Sequence, residues 1–263
     1  MHAVLVVMAL SLPSMAASQD AEGVLKRVQS TYAAMQSYSQ RFSTRLTRRV
    51  DQGPAVTVGS YGELRVARPN KLFLTLTSPA TGTIVAVCDG VTLTTYASKT
   101  NVYRRQPAPG TLAAVVRALR PYGIGMDRDP LYFFAAGTGG HGIVAPRLKP
   151  AVTLSGARCL VVSGTFSVSL PRGTRQGVAT LSVDAASHLL RKVELSLPSV
   201  PVTATVRTKR SGRPATERRT MRVSSTSTLY VQGMQANPTL GADAFRFAPP
   251  KGAVEDKLSS PGR

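Results

Sequence analysis

Apolar and polar positions change their period twice along this chain of 263 residues. Behind Asp20, a residue suited to cap a helix, Val24, Leu25, Val28, Tyr32 and Met35 recur at helical spacing and predict a helix with one apolar face. From Tyr38 the period becomes two. Gln40, Phe42, Thr44 and Leu46 alternate with Ser39, Arg41, Ser43 and Arg45, so a long strand follows whose two faces differ in wetness. Tyr61 to Arg68, Leu72 to Thr77, Ile84 to Asp89 and Thr92 to Tyr96 continue as short strands, with Asp89-Gly90 as a tight turn, which predicts an antiparallel meander. Helical spacing returns at Leu112, Val115, Val116 and Leu119, capped by Thr111 and stopped by Pro121. Asp129-Pro130 then opens a second short helix, Leu131 to Ala136, through a capping residue followed by proline. Beyond a glycine-rich loop from Gly137 to Gly142, strands are predicted at Val152 to Leu154, Arg158 to Val162, Val178 to Asp184, Leu190 to Leu197, Val202 to Lys209, Thr220 to Val231 and Phe245 to Phe247.

This layout is α+β: three apolar helices against one long antiparallel sheet. A sheet of about ten strands or more curls, and helices over its concave face either fill it or leave a cavity. With 22 Gly, 18 Pro and many Thr, Ser and Val, the composition favours strands and turns, and 43% hydrophobic against 17% charged residues suits a globular domain.

The first eighteen residues place an apolar run, Ala3 to Leu12, before Pro13 and the small residues Ser14 to Ser18. That order is an export signal cleaved near Ala16 to Ser18, although a short buried N-terminal helix would read similarly because only His2 and the start amine stand ahead of the run. The domain expectation is a signal peptide over residues 1–18 and a single domain over 19–263. No cysteine follows the run as a lipid anchor would need, and no later segment is long enough to span a bilayer, so a soluble periplasmic protein is expected.

The 33 Lys and Arg outnumber the 13 Asp and Glu to give a net charge of +20. The excess is densest at Arg41 to Arg49, Arg104 to Arg128 and Arg207 to Arg222, the last reading as a long basic hairpin. It fits either a solvated turn or attraction to an anionic membrane surface. Nucleic acid is not expected as a partner: the chain has no Trp, no zinc spacing and no aromatic ladder among the basic residues. Cys88 and Cys159 suit a disulfide or two buried thiols equally well. The histidines, His2, His141 and His188, share no ligand spacing with them, the glycine run lacks a following Lys-Ser/Thr, and no nucleophile elbow or spaced carboxylate pair occurs. No catalytic residue, metal or cofactor is expected.

Three segments point further. Glu63 to Asn70 with Leu72-Phe73-Leu74, the turn Val87-Cys88-Asp89-Gly90, and Ala244 to Gly252 (Ala-Phe-Arg-Phe-Ala-Pro-Pro-Lys-Gly) together resemble the LolA-type outer-membrane lipoprotein carriers and their wider relatives. Thr180 to Asp184 with Leu189 to Glu194 is similar to the lipoprotein-sorting-like branch of that superfamily. The likeness implies an incomplete β-barrel with helices as a lid over the concave face, an apolar interior that takes acyl chains of lipoproteins or lipids, and hand-off between an inner-membrane release complex and an outer-membrane receptor. It implies that Arg68 closes the lid by bonding to its backbone, and that Leu72 and Leu74 face the ligand. With them, Phe42, Leu64, Leu112, Val116 and Leu119 are expected to line the apolar cavity. The chain departs from the family in being longer, lacking Trp and carrying a strong positive charge. The competing expectation is a non-enzymatic envelope sensor or binding module of the same fold, recognising lipid or a protein partner.

Overall fold

The computed structural model describes residues 20–120, 129–136, 140–170, 173–210 and 213–256, the side chains at 169, 170, 173, 204–210 and 213–216 excepted. The expected leader, Pro121 and Gly137 to Gly139 lie outside the described residues.

Helix α1 (Ala21–Ala34) begins where the Asp20 side chain accepts a hydrogen bond from the Gly23 N–H at 2.5 Å, and it buries Val24, Leu25, Val28 and Tyr32, the predicted apolar stripe. Helix α2 (Leu112–Leu119) is capped by Thr111, whose hydroxyl accepts from the Ala114 N–H at 3.3 Å. Helix α3 (Pro130–Ala136) is capped by Asp129, whose Oδ1 accepts from the Tyr132 N–H at 2.6 Å. All three begin where their capping residues place them.

The strands are β1 (Ser37–Val50), β2 (Val56–Ala67), β3 (Lys71–Ser78), β4 (Gly82–Cys88), β5 (Thr92–Ala97), β6 (Val102–Pro107), β7 (Val144–Leu154), β8 (Ala157–Leu170), β9 (Gly173–Asp184), β10 (Leu190–Arg210), β11 (Arg213–Ala236) and β12 (Val254–Glu255). They form one twelve-stranded sheet in the order β12-β6-β5-β4-β3-β2-β1-β11-β10-β9-β8-β7. Every pairing is antiparallel except the two-residue β12–β6 contact, and different strands stand at the two edges, so the sheet stays open. The edge strand β7 carries Pro146, Pro150, Arg147 and Lys149 along its exposed length, which discourages pairing with another chain.

Several predicted strands change extent. β6 was not expected, because beside the two-residue edge strand β12 Tyr103-Arg104-Arg105 does not alternate as a half-buried strand should. The segments Leu190 to Leu197 and Val202 to Lys209 are one strand. A register shift between Leu197 and Val200 absorbs the irregularity around Pro198. Phe245 to Phe247 is not a strand: Ala242–Phe245 is a 3-10 turn that buries Phe245, and the chain then crosses the convex face, where Phe247 and Ala253 pack on Val85, Val87 and Tyr96. Cys88 and Cys159 are both free and buried, so of the two expectations the thiols are realised, and burial pushes both of them up from the ordinary thiol range.

The main core lies between the concave face and the three helices. Tyr32 of α1 packs edge-on against Tyr38 of β1 at 5.4 Å between ring centres and stacks on Phe133 of α3 at 6.1 Å. Burial raises both tyrosine hydroxyls well above their ordinary value, so they stay neutral and act within hydrogen bonds. Tyr32 accepts from the Leu190 N–H at 3.2 Å, and Tyr38 donates to Gln40 Oε1 at 2.8 Å.

Candidate ligand-binding site

Strand register sorts the concave face into rows. Tyr38, Val66, Leu72, Cys88 and Leu93 stand opposite one another across β1 to β5, each no more than 1% exposed. Two residues further along each strand come Gln40, Leu64, Leu74 and Ala86, and then Phe42, Gly62, Leu76 and Ile84. Thr44 with Ser60, and Leu46 with Val58, continue the series away from the helices. The first row is packed solid. From the second row onward the helices no longer fill the concavity, and a cavity of about 410 Å³ opens there.

Its apolar wall includes Phe42, Leu46, Val58, Leu64, Leu74, Leu76, Ile84 and Leu229, with Leu131 of α3 as part of the roof. Five consecutive sheet neighbours, from β11 through β1, β2 and β3 to β4, share this one space, which requires the sheet to curl around it. Gly62 makes room for the Phe42 ring, since an added Cβ there would stand 2.7 Å from Phe42 Cζ. Exposed Ala80 and Thr81, and Val58 at 37% exposure, also line the cavity and mark its mouth.

The polar lining is satisfied from within. Thr44 and Ser60 pair hydroxyl to hydroxyl across β1 and β2, Ser78 pairs with Thr81 at 2.7 Å, and Gln40, only 4% exposed, accepts from Tyr38. Asp129 spends an oxygen on the α3 cap. Such a wall tolerates an apolar occupant, because no buried polar group is left waiting for a partner.

Arg68 fastens the roof. Its Nε donates to the Met35 carbonyl at 2.9 Å, and its Nη2 lies within hydrogen-bond reach of the carbonyls of Tyr32 and Ala33 at 3.4 and 3.5 Å and of Phe134 at 3.0 Å. Its guanidinium also lies over the Phe134 ring, 4.6 Å from the centre. One side chain from the β2–β3 turn thus joins the C-terminal carbonyls of α1, where positive charge is favoured, to the end of α3. Next to it Pro69 accepts from the Leu112 N–H at 2.9 Å, and Asn70 donates to Gly90 and Pro109 at 3.1 and 2.9 Å. The Arg-Pro-Asn turn therefore ties all three helices to the sheet.

The expected cavity residues divide. Phe42, Leu64 and Leu74 line the cavity. Leu72, Leu112 and Leu119 instead lie at most 2% exposed in the solid core, and Val116 packs against that core from its edge. The reason is position along the strand: Leu72 shares a face with Leu74 but lies one row nearer the helices, where the helix-covered core fills the space. Leu46, Val58, Leu76, Ile84 and Leu229 were missed, although period-two extension from Phe42, Leu64 and Leu74 reaches most of them. Asp129 and Gln40 had no sequence signal beyond capping and strand parity.

His141, placed in a glycine-rich loop by sequence, ties that loop to α1. Its Nδ1 accepts from the Ile143 N–H at 3.1 Å, which leaves Nε2 to donate to Glu22 at 3.0 Å. Among the described residues no three His, Cys, Asp or Glu side chains gather as a metal would require, and no helix is long and apolar enough to cross a membrane. A second hollow of about 260 Å³ lies on the convex side between Val87, Asp89, Thr92 and Thr94 and the segment Phe245 to Ala248, and it is small and mixed in character.

Residues 21–127, which run from α1 past α2, match the family described as "Predicted periplasmic protein (DUF2092)". Among solved structures the chain is similar to LprF from Mycobacterium bovis, at 12% identity and a TM-score of 0.43 over 84% of this chain and 95% of that one. It is similar to the lipoprotein LppX from Mycobacterium tuberculosis, at 13% identity and a TM-score of 0.35 over 84% and 99%. A LolA superfamily protein from Nitrosomonas europaea follows at 13% identity and a TM-score of 0.32 over 87% and 98%. No curated protein matches the chain in sequence.

Proposed function

We propose that the protein is an exported carrier of the periplasm that shelters one acyl chain of a lipid or lipoprotein in the β1–β4, β11 cavity and gives it up at a membrane or a receptor. The observation that carries this reading is the 410 Å³ hollow with a largely apolar wall, roofed by Leu131 of a helix that Arg68 holds in place. At roughly 30 Å³ for each water-sized group, the space holds about a dozen methylenes. That is one chain, not the several of a fully acylated lipoprotein. Burying those groups is worth about 0.8 kcal/mol apiece, so a single chain supplies about 10 kcal/mol before ordering costs. Release is then the harder step, and a roof held by a few carbonyl bonds of about 1 to 2 kcal/mol each can open without unfolding the sheet.

The test is uptake of a fluorescent long-chain fatty acid by delipidated full chain, with native mass spectrometry of protein taken from its own envelope. One bound chain per protein is expected, and Leu76→Trp, which fills the cavity from its wall, should abolish uptake while far-UV circular dichroism stays unchanged. Ser227→Phe serves as a second filling variant from the opposite wall. Undiminished uptake in both folded variants would remove the cavity from the mechanism.

A further inference from the structure

The concave face does not stop at the cavity mouth. Beyond Leu46, Val58 and Ser227 the same strand parity continues with Arg48 opposite Val56 and Ser225, then Val50 opposite Val223, then Val223 opposite Val200 and Met221 opposite Val202. Among the described residues no helix lies over this apron, which is made by the far halves of the β1–β2 and β10–β11 hairpins. Val56 is 62% exposed and Val50 and Val58 are each 37% exposed, while Met221, Val223 and Val202 are half-buried.

Charge is laid over the same strip. By the same parity Arg48 and Arg219 share the concave face with the valines, while Arg45, Arg49, Arg218 and Arg222 stand on the back of the same hairpins; all six are exposed, against two acids, Asp51 and Glu217. Asp51 is already engaged, its Oδ1 accepting from the Arg222 N–H at 2.6 Å. No ion pair among the described residues involves any of the six arginines. Exposed arginines alone would be a solvated surface, and exposed valines alone an aggregation hazard. Valines flanked by Arg48 and Arg219 on one face, with four more arginines one strand thickness behind and so within a screening length of a surface placed there, match the interface of a bilayer, where apolar side chains enter the headgroup boundary and cations meet lipid phosphates.

We infer that this apron docks the protein on anionic phospholipid bilayers, with the cavity mouth set against the lipid surface. The occupant is the membrane and not a soluble polyanion, because the valines offer nothing to a hydrated ligand, while both chemistries adjoin the opening through which an acyl chain would pass. Docking does not require the cavity to be loaded, so its failure is separable from failure of the carrier reading.

Co-sedimentation of the full chain with vesicles tests it, using pure phosphatidylcholine and a mixture of phosphatidylcholine with about a third phosphatidylglycerol. Binding is expected to the anionic vesicles alone and should weaken steeply as salt rises from about 0.05 to 0.5 M, over which the screening length shrinks severalfold. With each arginine near the surface worth about 1 kcal/mol, Arg48→Ala with Arg219→Ala should weaken binding about 30-fold with no change in fatty-acid uptake. Val56→Ser should weaken vesicle binding but leave binding to heparin unchanged. Equal affinity for both vesicle types, no affinity for either, insensitivity to the double arginine variant, or parallel loss of heparin and vesicle binding in Val56→Ser would each overturn the inference.

Discussion

The two halves of the concave face are built from the same strands at the same parity, yet one is solid and the other hollow. Leu72 and Leu76 both point inward from β3, four residues apart; Leu72 meets Val66 and Cys88 in the packed row, whereas Leu76 looks into the cavity beside Ile84. Neither hydrophobicity nor the face they point to distinguishes them. The difference is which part of the sheet the three helices reach, and that is fixed by the Arg-Pro-Asn turn and the capping residues Asp20, Thr111 and Asp129. An interior is hollowed here by where its lid is pinned, not by a change of pattern along the strands.

The sharpest way to break that comparison is the same truncation made in each half. Leu72→Ala removes atoms from a site with 0% exposure and neighbours on every side, and should cost about 3 kcal/mol through lost transfer and the cavity left behind. Leu76→Ala enlarges an existing void and forfeits fewer contacts, so about 1 kcal/mol is expected. Urea midpoints at unchanged slope measure both. Equal losses would mean that the two halves are packed alike and the cavity closes in solution.

Next in size is the pin itself. Arg68→Leu strips the bonds to Met35 and Phe134 and leaves helix-end carbonyls without their donor, a loss of about 2 kcal/mol. Its effect should be local. Amide hydrogens of α3 should exchange markedly faster while those of β8 to β10 keep their protection, and Arg68→Lys should restore only part, since one ammonium cannot span carbonyls from two helices. Unaltered protection in α3 would show that the roof is held by packing of Phe133 and Phe134 alone.

Much of this was legible in the sequence, and the limits of legibility have physical causes. The apolar stripe of α1, the proline-opened start of α3, and the alternation from Tyr38 through Leu46 are local patterns, and they gave the helices, the first strand and the open α+β architecture. The resemblance around Arg68 led to its bonds with helix carbonyls. What could not be read was depth along the sheet. Period two says that Leu72, Leu74 and Leu76 share a face but not which of them lies under a helix, because that depends on contacts between segments far apart in the chain. Leu112 and Leu119 lie in the solid core for the same reason: an apolar helix face can plug a concavity as readily as line it. The apron escaped notice because its apolar and basic residues come from two hairpins that meet only through the β1–β11 pairing.

The smallest expected effect sharpens the comparison from the side of the solid half. Two turns at the helix-covered end are fastened by carboxylates. Asp89 accepts from the N–H groups of Thr92 and Val91 at 2.7 and 2.8 Å, and those bonds hold its carboxyl below the usual range. Burial would by itself push Asp184 up, but the N–H groups of Ser187 and Ala186 and the ion pair with Arg191 at 2.6 Å outweigh it and leave a net depression. A carboxyl depressed in the folded state contributes stability that is fully present above its unfolded value of about 3.9 and is lost as pH falls through the lower folded value. Thermal stability should therefore hold steady down to about pH 5 and decline below about pH 4. In Asp184→Asn the protein should be weaker at pH 7 but decline less steeply, since that link no longer titrates. Fatty-acid affinity of the molecules still folded should stay level across the same range, because the cavity is roofed by Leu131 and walled by neutral side chains apart from Asp129, which is engaged at the α3 cap. A fall in affinity that precedes the fall in stability would mean that the hollow half depends on a titrating group after all, and Asp129 at the α3 cap would be the residue to replace next.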